Sequence, residues 1–385
     1  MRVLRRPIPL LTAAIGVIGA NSLVLPPIAP AVAADLSTEV SLILRAAAAY
    51  GAGTALSALV LAPRADVIGA DKALRWACAL LIVALILSAC APSVGLLILG
   101  QAMAGLGAGM ALPSIYSLAA QLAPKGREKQ TIGSVLTGWT LSLIGGVTLA
   151  AVIADHLGWR AVYGIMCLMT LAIWILLGRC QMSAERHSTG ATSPFAALRV
   201  PGLGRGLWAN AMLMLAFNGA YIYLGTHVVE HMHRSTSSAG MITMFYGAGF
   251  GLAVFFNRYL EMLSIRQVGV FAFGGLTLVY TAMDLASLTY AVFLPIAFVW
   301  GIFQHFALNM VVDRLTSLDP RQRGAIMGLN SAVTYLTVMG GAVFYKIPYD
   351  AGGLSYCLAL SALFAAIAAT EALLPNRIKT CSAAE

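Results

Sequence analysis

Six polar side chains stand in stretches of chain otherwise dominated by apolar residues: Asn21, Arg45, Gln101, Asn218, Gln304 and His305. A guanidinium at the centre of an apolar helix costs about 2.5–3.5 kcal/mol on insertion scales unless it faces protein or water. Arg45 therefore either reaches a water-filled cavity or snorkels to the nearer interface, with Ser37 only two turns away. Gln101 follows the start of its own apolar stretch by a similar distance and is expected at the same depth, where the two could share a ligand or a hydrogen bond. No Asp or Glu lies in the middle of an apolar stretch in the first half of the chain. A cavity around Arg45 would then carry positive potential and favour an anionic or carboxylate-bearing ligand. Glu39, six residues earlier, is poorly placed to neutralise it, since helical partners lie three or four apart.

The amides of Asn21, Asn218, Gln304 and Asn309 can orient a solute, or they can tie helices together for under about 1 kcal/mol each; residue type alone leaves both open. His305 is the imidazole set deep in an apolar stretch, and the ordinary imidazole pKa of about 6.5 makes it a candidate for reversible protonation, with a satisfied core histidine as the alternative. Asp35 and Glu39 flank one surface, Asp284 closes a later stretch and Glu371 lies near the end of the last. His227, Glu230, His231 and His233 crowd one short segment, where His227 and His231 could hold a metal if the segment is helical; a solvated loop without metal is the expectation. The six cysteines are scattered singly, with no CxxC pair, and read as reduced packing residues. With no phosphate-binding glycine loop, neither ATP nor any other cofactor is expected.

The elements that must position these residues follow from composition. Of 385 residues 59% are apolar and 10% charged, against roughly 25% charged in soluble domains, so a soluble reading is excluded. The net charge of +9 comes without the basic, aromatic-interleaved runs of a nucleic-acid surface. Apolar stretches fall near residues 8–33, 38–62, 73–92, 94–122, 130–154, 159–179, 206–226, 235–257, 266–286, 287–312, 324–345 and 350–374, each close to the roughly 20 residues that cross a bilayer. They predict an all-α membrane protein of twelve transmembrane helices. The first stretch is long and carries Asn21 and four prolines, which suits a kinked first span better than a cleaved signal core. The polar segment 181–204 divides the chain into a bundle over 1–180 and another over 205–385. With the N-terminus in the cytoplasm, Arg160, Arg234 and Lys346 are the basic residues of the outer loops, Arg45 lies within a span, and the other 20 of the 24 Lys and Arg fall inside, the bias expected of cytoplasmic loops.

The two bundles also repeat. Tyr50-Gly51-Ala52-Gly53 recurs as Tyr246-Gly247-Ala248-Gly249, Gly105 as Gly301, Pro124 as Pro320 and Arg127 as Arg323, always 196 residues apart. Matches at one offset in corresponding spans predict two parallel six-helix repeats.

Twelve spans, six-plus-six repeats and a central loop resemble the major facilitator superfamily, and several motifs are similar to its drug:proton antiporter-like bacterial exporters. Ala65, Asp66 and Gly69 match the loop after span 2. Gln101-Ala102-Met103-Ala104-Gly105 resembles the span 4 pattern with Gln in place of Arg. Gly133, Gly145 and Gly146 resemble the glycine-rich span 5, with Thr148 where a proline is usual, and Gly158-Trp159-Arg160 matches the start of span 6. The resemblance implies a monomeric transporter of the bacterial inner membrane that moves a small organic molecule by alternating access. It implies export in exchange for protons, although no mid-span carboxylate supplies the proton site. Asp66, Gly69, Arg127 and Arg323 would act in gating, Asp66 as the latch between halves. Uptake of an anionic metabolite, an integral-membrane enzyme, and a transport-dead sensor on the same fold stand as alternatives.

Overall fold

The computed structural model describes residues 7–61, 68–124, 126–180, 194–260, 262–319 and 322–374. Among them, twelve helices are long and apolar enough to cross a membrane: α1 (Ile8–Asp35), α2 (Val40–Val60), α3 (Ala70–Ala89), α4 (Val94–Gln121), α5 (Gln130–Leu157), α6 (Trp159–Arg179), α7 (Leu203–His231), α8 (Thr236–Leu260), α9 (Ile265–Leu285), α10 (Tyr290–Thr316), α11 (Arg323–Phe344) and α12 (Lys346–Leu373). Helices satisfy every interior backbone group within the segment, which hydrocarbon demands. The boundaries fall close to those expected, with one instructive shift. The segment beyond Thr226 was expected to be a loop, yet α7 continues through a π turn over His227–His231, because buried Val228 extends its apolar face. Successive helices alternate in direction, so the start of α1 and the end of α12 share one face, called here the termini face; its opposite is the far face.

Inside each half the closest packing is made by glycines. A Cβ on Gly105 would overlap the Tyr50 carbonyl and meet the Thr54 nitrogen, and one on Gly53 would overlap the Ala102 carbonyl. In the second half Gly301 stands against the Tyr246 carbonyl and Phe250 nitrogen, and Gly249 against the Phe298 carbonyl. Each partner is its counterpart 196 residues on. The α2–α4 contact is thus rebuilt, atom for atom, as α8–α10. Lipid offers no hydrophobic drive between helices, so such close backbone approach supplies dispersion contact instead.

The halves meet along α2–α11, α5–α8 and α1–α7. Near mid-helix, Gly51 packs on the Tyr335 and Met339 backbone, with the Tyr50 and Tyr335 rings edge to face at 6.4 Å. Toward the far face, Gly247 packs on Leu143 and Ile144, and Gly240 on Thr148 and Ala151; the Thr148 hydroxyl donates to the Gly240 carbonyl at 3.0 Å. The α5 face that carries Thr148 continues, whole turns earlier, through Thr137, Ser134 and Gln130, and there it is exposed. A polar stripe on a membrane helix faces water rather than lipid. The halves are therefore closed at the far face and parted toward the termini face.

Gly105→Ala and Gly301→Ala should each destabilise the protein by about 1–3 kcal/mol through overpacking. At Gly133 and Gly145 a Cβ meets nothing within 4 Å, so Gly133→Ala and Gly145→Ala should stay within about 0.5 kcal/mol of the parent. Thermal unfolding of the detergent-purified variants, read by size-exclusion chromatography, measures both.

Candidate functional site

In the first half, the Asn21 amide donates to Gln101 Oε1 at 3.5 Å, and Gln101 Nε2 donates to the Ser88 hydroxyl at 3.1 Å. All three are buried, joining α1, α4 and α3, and Asn21 Oδ1 finds no partner. Asn21 and Gln101 are thus brought together. Arg45 is not. Gly53 packs on Ala102, so Gln101 lies near the depth of Gly53, eight residues along α2 from Arg45 or about 12 Å at a 1.5 Å rise. The expectation that Arg45 and Gln101 share a depth is corrected: the two helices cross in a register that apolar boundaries cannot reveal. Arg45 is exposed and shares a stripe, at three- and four-residue spacing, with Ala49, Ala52 and Leu56, the last 56% exposed. Ala49 and Ala52 on that stripe are half-buried, and Arg45, less than two turns from the start of α2, is within snorkelling reach of the far interface.

In the second half, buried Asn218 turns back along α7, donating to the Met214 carbonyl at 2.7 Å, and Gly341 of α11 packs against it. Gln304 is buried with Oε1 unpartnered. His305 Nε2 lies 3.2 Å from Asn257 Oδ1 and 2.7 Å from Asn309 Nδ2, while its buried Nδ1 has no partner. When the Asn309 amide donates to Nε2, the neutral ring carries its proton on Nδ1, so the cluster leaves one ring position free. Asn257 gave no signal in the sequence, because its role arises only where the end of α8 crosses α10.

Two further groups were invisible before folding. The Asn210 amide donates to Thr334 Oγ1 at 2.9 Å and to the Asn330 carbonyl at 3.3 Å, leaving the side-chain oxygens of Asn210 and Asn330 unpartnered. Phe217, half-buried on α7, lies 5.2 Å from Tyr221, 5.4 Å from Trp300 and 5.7 Å from Tyr246 between ring centroids. The Trp300 indole donates to the Tyr280 hydroxyl at 3.1 Å. The unpartnered oxygens of Asn21, Asn210, Gln304 and Asn330 are all neutral acceptors. Each costs about 1–3 kcal/mol if left without a donor, and each can accept a hydrogen bond from a hydroxyl.

Charge is kept to the rims. At the termini face Glu371 of α12 accepts two bonds from Arg314 at 2.9 and 3.0 Å and one from Arg205 at 2.7 Å, and Arg266 donates to the Leu373 carbonyl. Asp66 lies outside the described residues. Gly69, just before α3, has φ +102°, a conformation that L side chains rarely adopt. Arg127 is exposed before α5, and Arg323 Nε donates to the Thr316 carbonyl at 3.0 Å, fastening the end of α10 to α11. At the far face Trp159 and Arg160 both bind the Asp35 carboxylate, and Arg160 also donates to the Ala91 carbonyl at 3.0 Å. His227 Nε2 meets the Ser287 carbonyl at 2.7 Å and its ring stacks on His231 at 5.3 Å. Among the described residues no group of three or more His, Cys, Asp or Glu is arranged for a metal.

Besides the Thr148 bond to Gly240, two further contacts toward the far face cross between the halves. Pro27 has no N–H, so the Leu23 carbonyl loses its ordinary helical donor; the Tyr221 hydroxyl of α7 donates to it at 2.7 Å. Asp155 of α5 accepts the Ser237 backbone N–H at 2.6 Å, capping the N-terminus of α8 from the opposite half.

Removing the Glu371 charge leaves Arg314 partly buried and unpaired, so Glu371→Gln should lower stability by about 3 kcal/mol, checked by thermal unfolding. Asp155→Ala removes a cap worth about 1 kcal/mol, roughly a fivefold shift away from far-face closure, which the labelling rate of a cysteine replacing Thr148, similar in size and at the same seam, should report.

A sequence model described as Major Facilitator Superfamily matches residues 10–342. An uncharacterised MFS-type transporter of Bacillus subtilis is 26% identical over 92% of this chain and 89% of its own. A probable sugar efflux transporter of Pasteurella multocida is 28% identical over 65% of this chain and 62% of its own. Among solved structures, a D-xylose-proton symporter superposes with a TM-score of 0.75 at 13% identity, covering 96% of this chain and 97% of its own. A twelve-helix architecture, close glycine packing repeated at one offset and a family match across most of the length converge: this chain belongs to the Major Facilitator Superfamily.

Proposed function

We propose that the protein is a secondary active transporter that exports a small, neutral, hydroxyl-rich organic molecule by alternating access, coupled to protons. The observation that carries this reading is the set of neutral, unpartnered acceptors on Asn21, Asn210, Gln304 and Asn330, in a molecule closed at the far face and parted at the termini face. Amide oxygens accept from hydroxyls, and the half-buried Phe217 adds an apolar face suited to the C–H side of a ring. The name of the Pasteurella multocida relative, a probable sugar efflux transporter, points the same way. An anionic substrate loses its main support, because Arg45 lies about 12 Å along α2 from the depth of Gln101. The bias of basic residues supports a cytoplasmic termini face in a bacterial inner membrane. His305 is the candidate coupling group: an imidazole can take up and release a proton, and this one is held at the α8–α10 crossing with one ring nitrogen free. Asp66 would latch the halves in the opposite, outward-facing state, joined by Gly69, Arg127 and Arg323.

The test is flux in proteoliposomes under an imposed pH gradient, with radiolabelled mono- and disaccharides and an organic anion of similar size as comparison. A neutral sugar should move saturably and the anion should not. Asn21→Ala and Gln304→Ala should each lower transport about tenfold or more, and His305→Ala should abolish the response to the gradient while exchange of substrate persists. Binding without flux in the wild-type protein would establish the sensor alternative, and flux of the anion alone would overturn the substrate class.

A further inference from the structure

A cavity opens on the far face, beyond the closed contact between the halves, with a volume of about 450 Å³. It is framed by the α1–α2 turn of one half and, from the other, by the end of α7 and the first turns of α12. Those turns are set apart from the rest of α12 by non-helical backbone at Gly352 and Gly353, and they supply Lys346, Tyr349 and Asp350 to the lining.

The lining is chemically one-sided. Glu39, Glu230 and Asp350 contribute three carboxylates against the single ammonium of Lys346, and that lysine is already paired with Asp350 at 2.7 Å. Glu39 accepts only the Ser41 hydroxyl, at 3.0 Å. Deeper in the wall, Tyr223 and Thr226 are each 2% exposed. Their hydroxyls, and that of Tyr349, have no hydrogen-bond partner. The Tyr223 and Tyr349 rings are stacked at 4.1 Å. Three hydroxyls without a protein partner beside an excess of carboxylates call for a group that donates hydrogen bonds and carries positive charge. One chemical group satisfies both features: an ammonium has three donors and no acceptor, pairs with carboxylates and favours tyrosine faces.

We propose that this far-face cavity binds a primary ammonium group, carried by a small free amine or by an ethanolamine lipid headgroup. Both halves build the site, so it is complete only while the far face is closed. An occupant therefore stabilises this conformation in proportion to its preference for it, and an amine on the far side slows the return of the transporter to the outward-facing state. The cavity is separate from the neutral amides of the transport path, and occupancy does not depend on what that path carries.

The experiment uses the full chain in two settings. In detergent, putrescine is titrated at constant ionic strength while thermal unfolding is followed, with magnesium chloride as the inorganic control. In nanodiscs, phosphatidylethanolamine is compared with phosphatidylcholine. A saturable rise in melting temperature with putrescine, absent with magnesium, supports a free amine; stabilisation confined to phosphatidylethanolamine supports the headgroup. In either case Glu230→Gln or Tyr349→Phe should weaken the response about tenfold, a loss of 1.4 kcal/mol, without changing the unliganded melting temperature. Asp350→Asn serves if one of these fails to fold. A response equal with magnesium, one untouched by the substitutions, or none in either setting overturns the proposal.

Discussion

Backbone-to-backbone contact at glycine is the constraint on which the rest of this structure depends. In a bilayer no hydrophobic gain brings helices together, and dispersion between closely approached chains has to supply the cohesion. Gly105 on the Tyr50 carbonyl and Gly301 on the Tyr246 carbonyl set how α2 lies on α4 and how α8 lies on α10. Those two crossings fix the depth of everything the helices carry. Gln101 sits beside Asn21 and Ser88 because Ala102 seats against Gly53; His305 meets Asn257 because Gly301 seats against Phe250. The polar sites are consequences of a packing register.

The same logic makes the far-face seal asymmetric in chemistry although the halves repeat in fold. α1 contributes a carbonyl that Pro27 deprives of its donor, and α7 answers with Tyr221. α8 contributes unpaired amides at its N-terminus, and α5 answers with Asp155. Each bond joins a group left over by one helix to a group offered by the other half, so neither half satisfies itself alone. Bonds of this kind are worth about 1 kcal/mol apiece, enough to bias a conformational balance.

Polarity is graded along the membrane normal for a related reason. Full charges stay near the faces, where Glu371 gathers Arg205 and Arg314 and where Asp35 gathers Trp159 and Arg160, each anchoring a helix end. The interior holds amides, hydroxyls and one histidine cluster, groups whose burial costs a few kcal/mol rather than tens.

The sequence by itself determined the class of molecule. Apolar run length, the basic bias of one set of loops and the 196-residue offset specify twelve helices, an even count and a repeat, because each depends only on composition along the chain. It also singled out Asn21, Gln101, Gln304 and His305 as costly in hydrocarbon, since that cost belongs to residue type. Tertiary structure alone decided which of them meet. The pairing of Asn21 with Gln101, the arrival of Asn257 at His305 and the unpartnered oxygens of Asn210 and Asn330 all require knowing how far one helix slides along another. Arg45 was misplaced for that reason: boundaries of apolar stretches locate a helix to within a turn or two, whereas a side chain's neighbours are set by the rotation and register that glycine contacts impose in three dimensions.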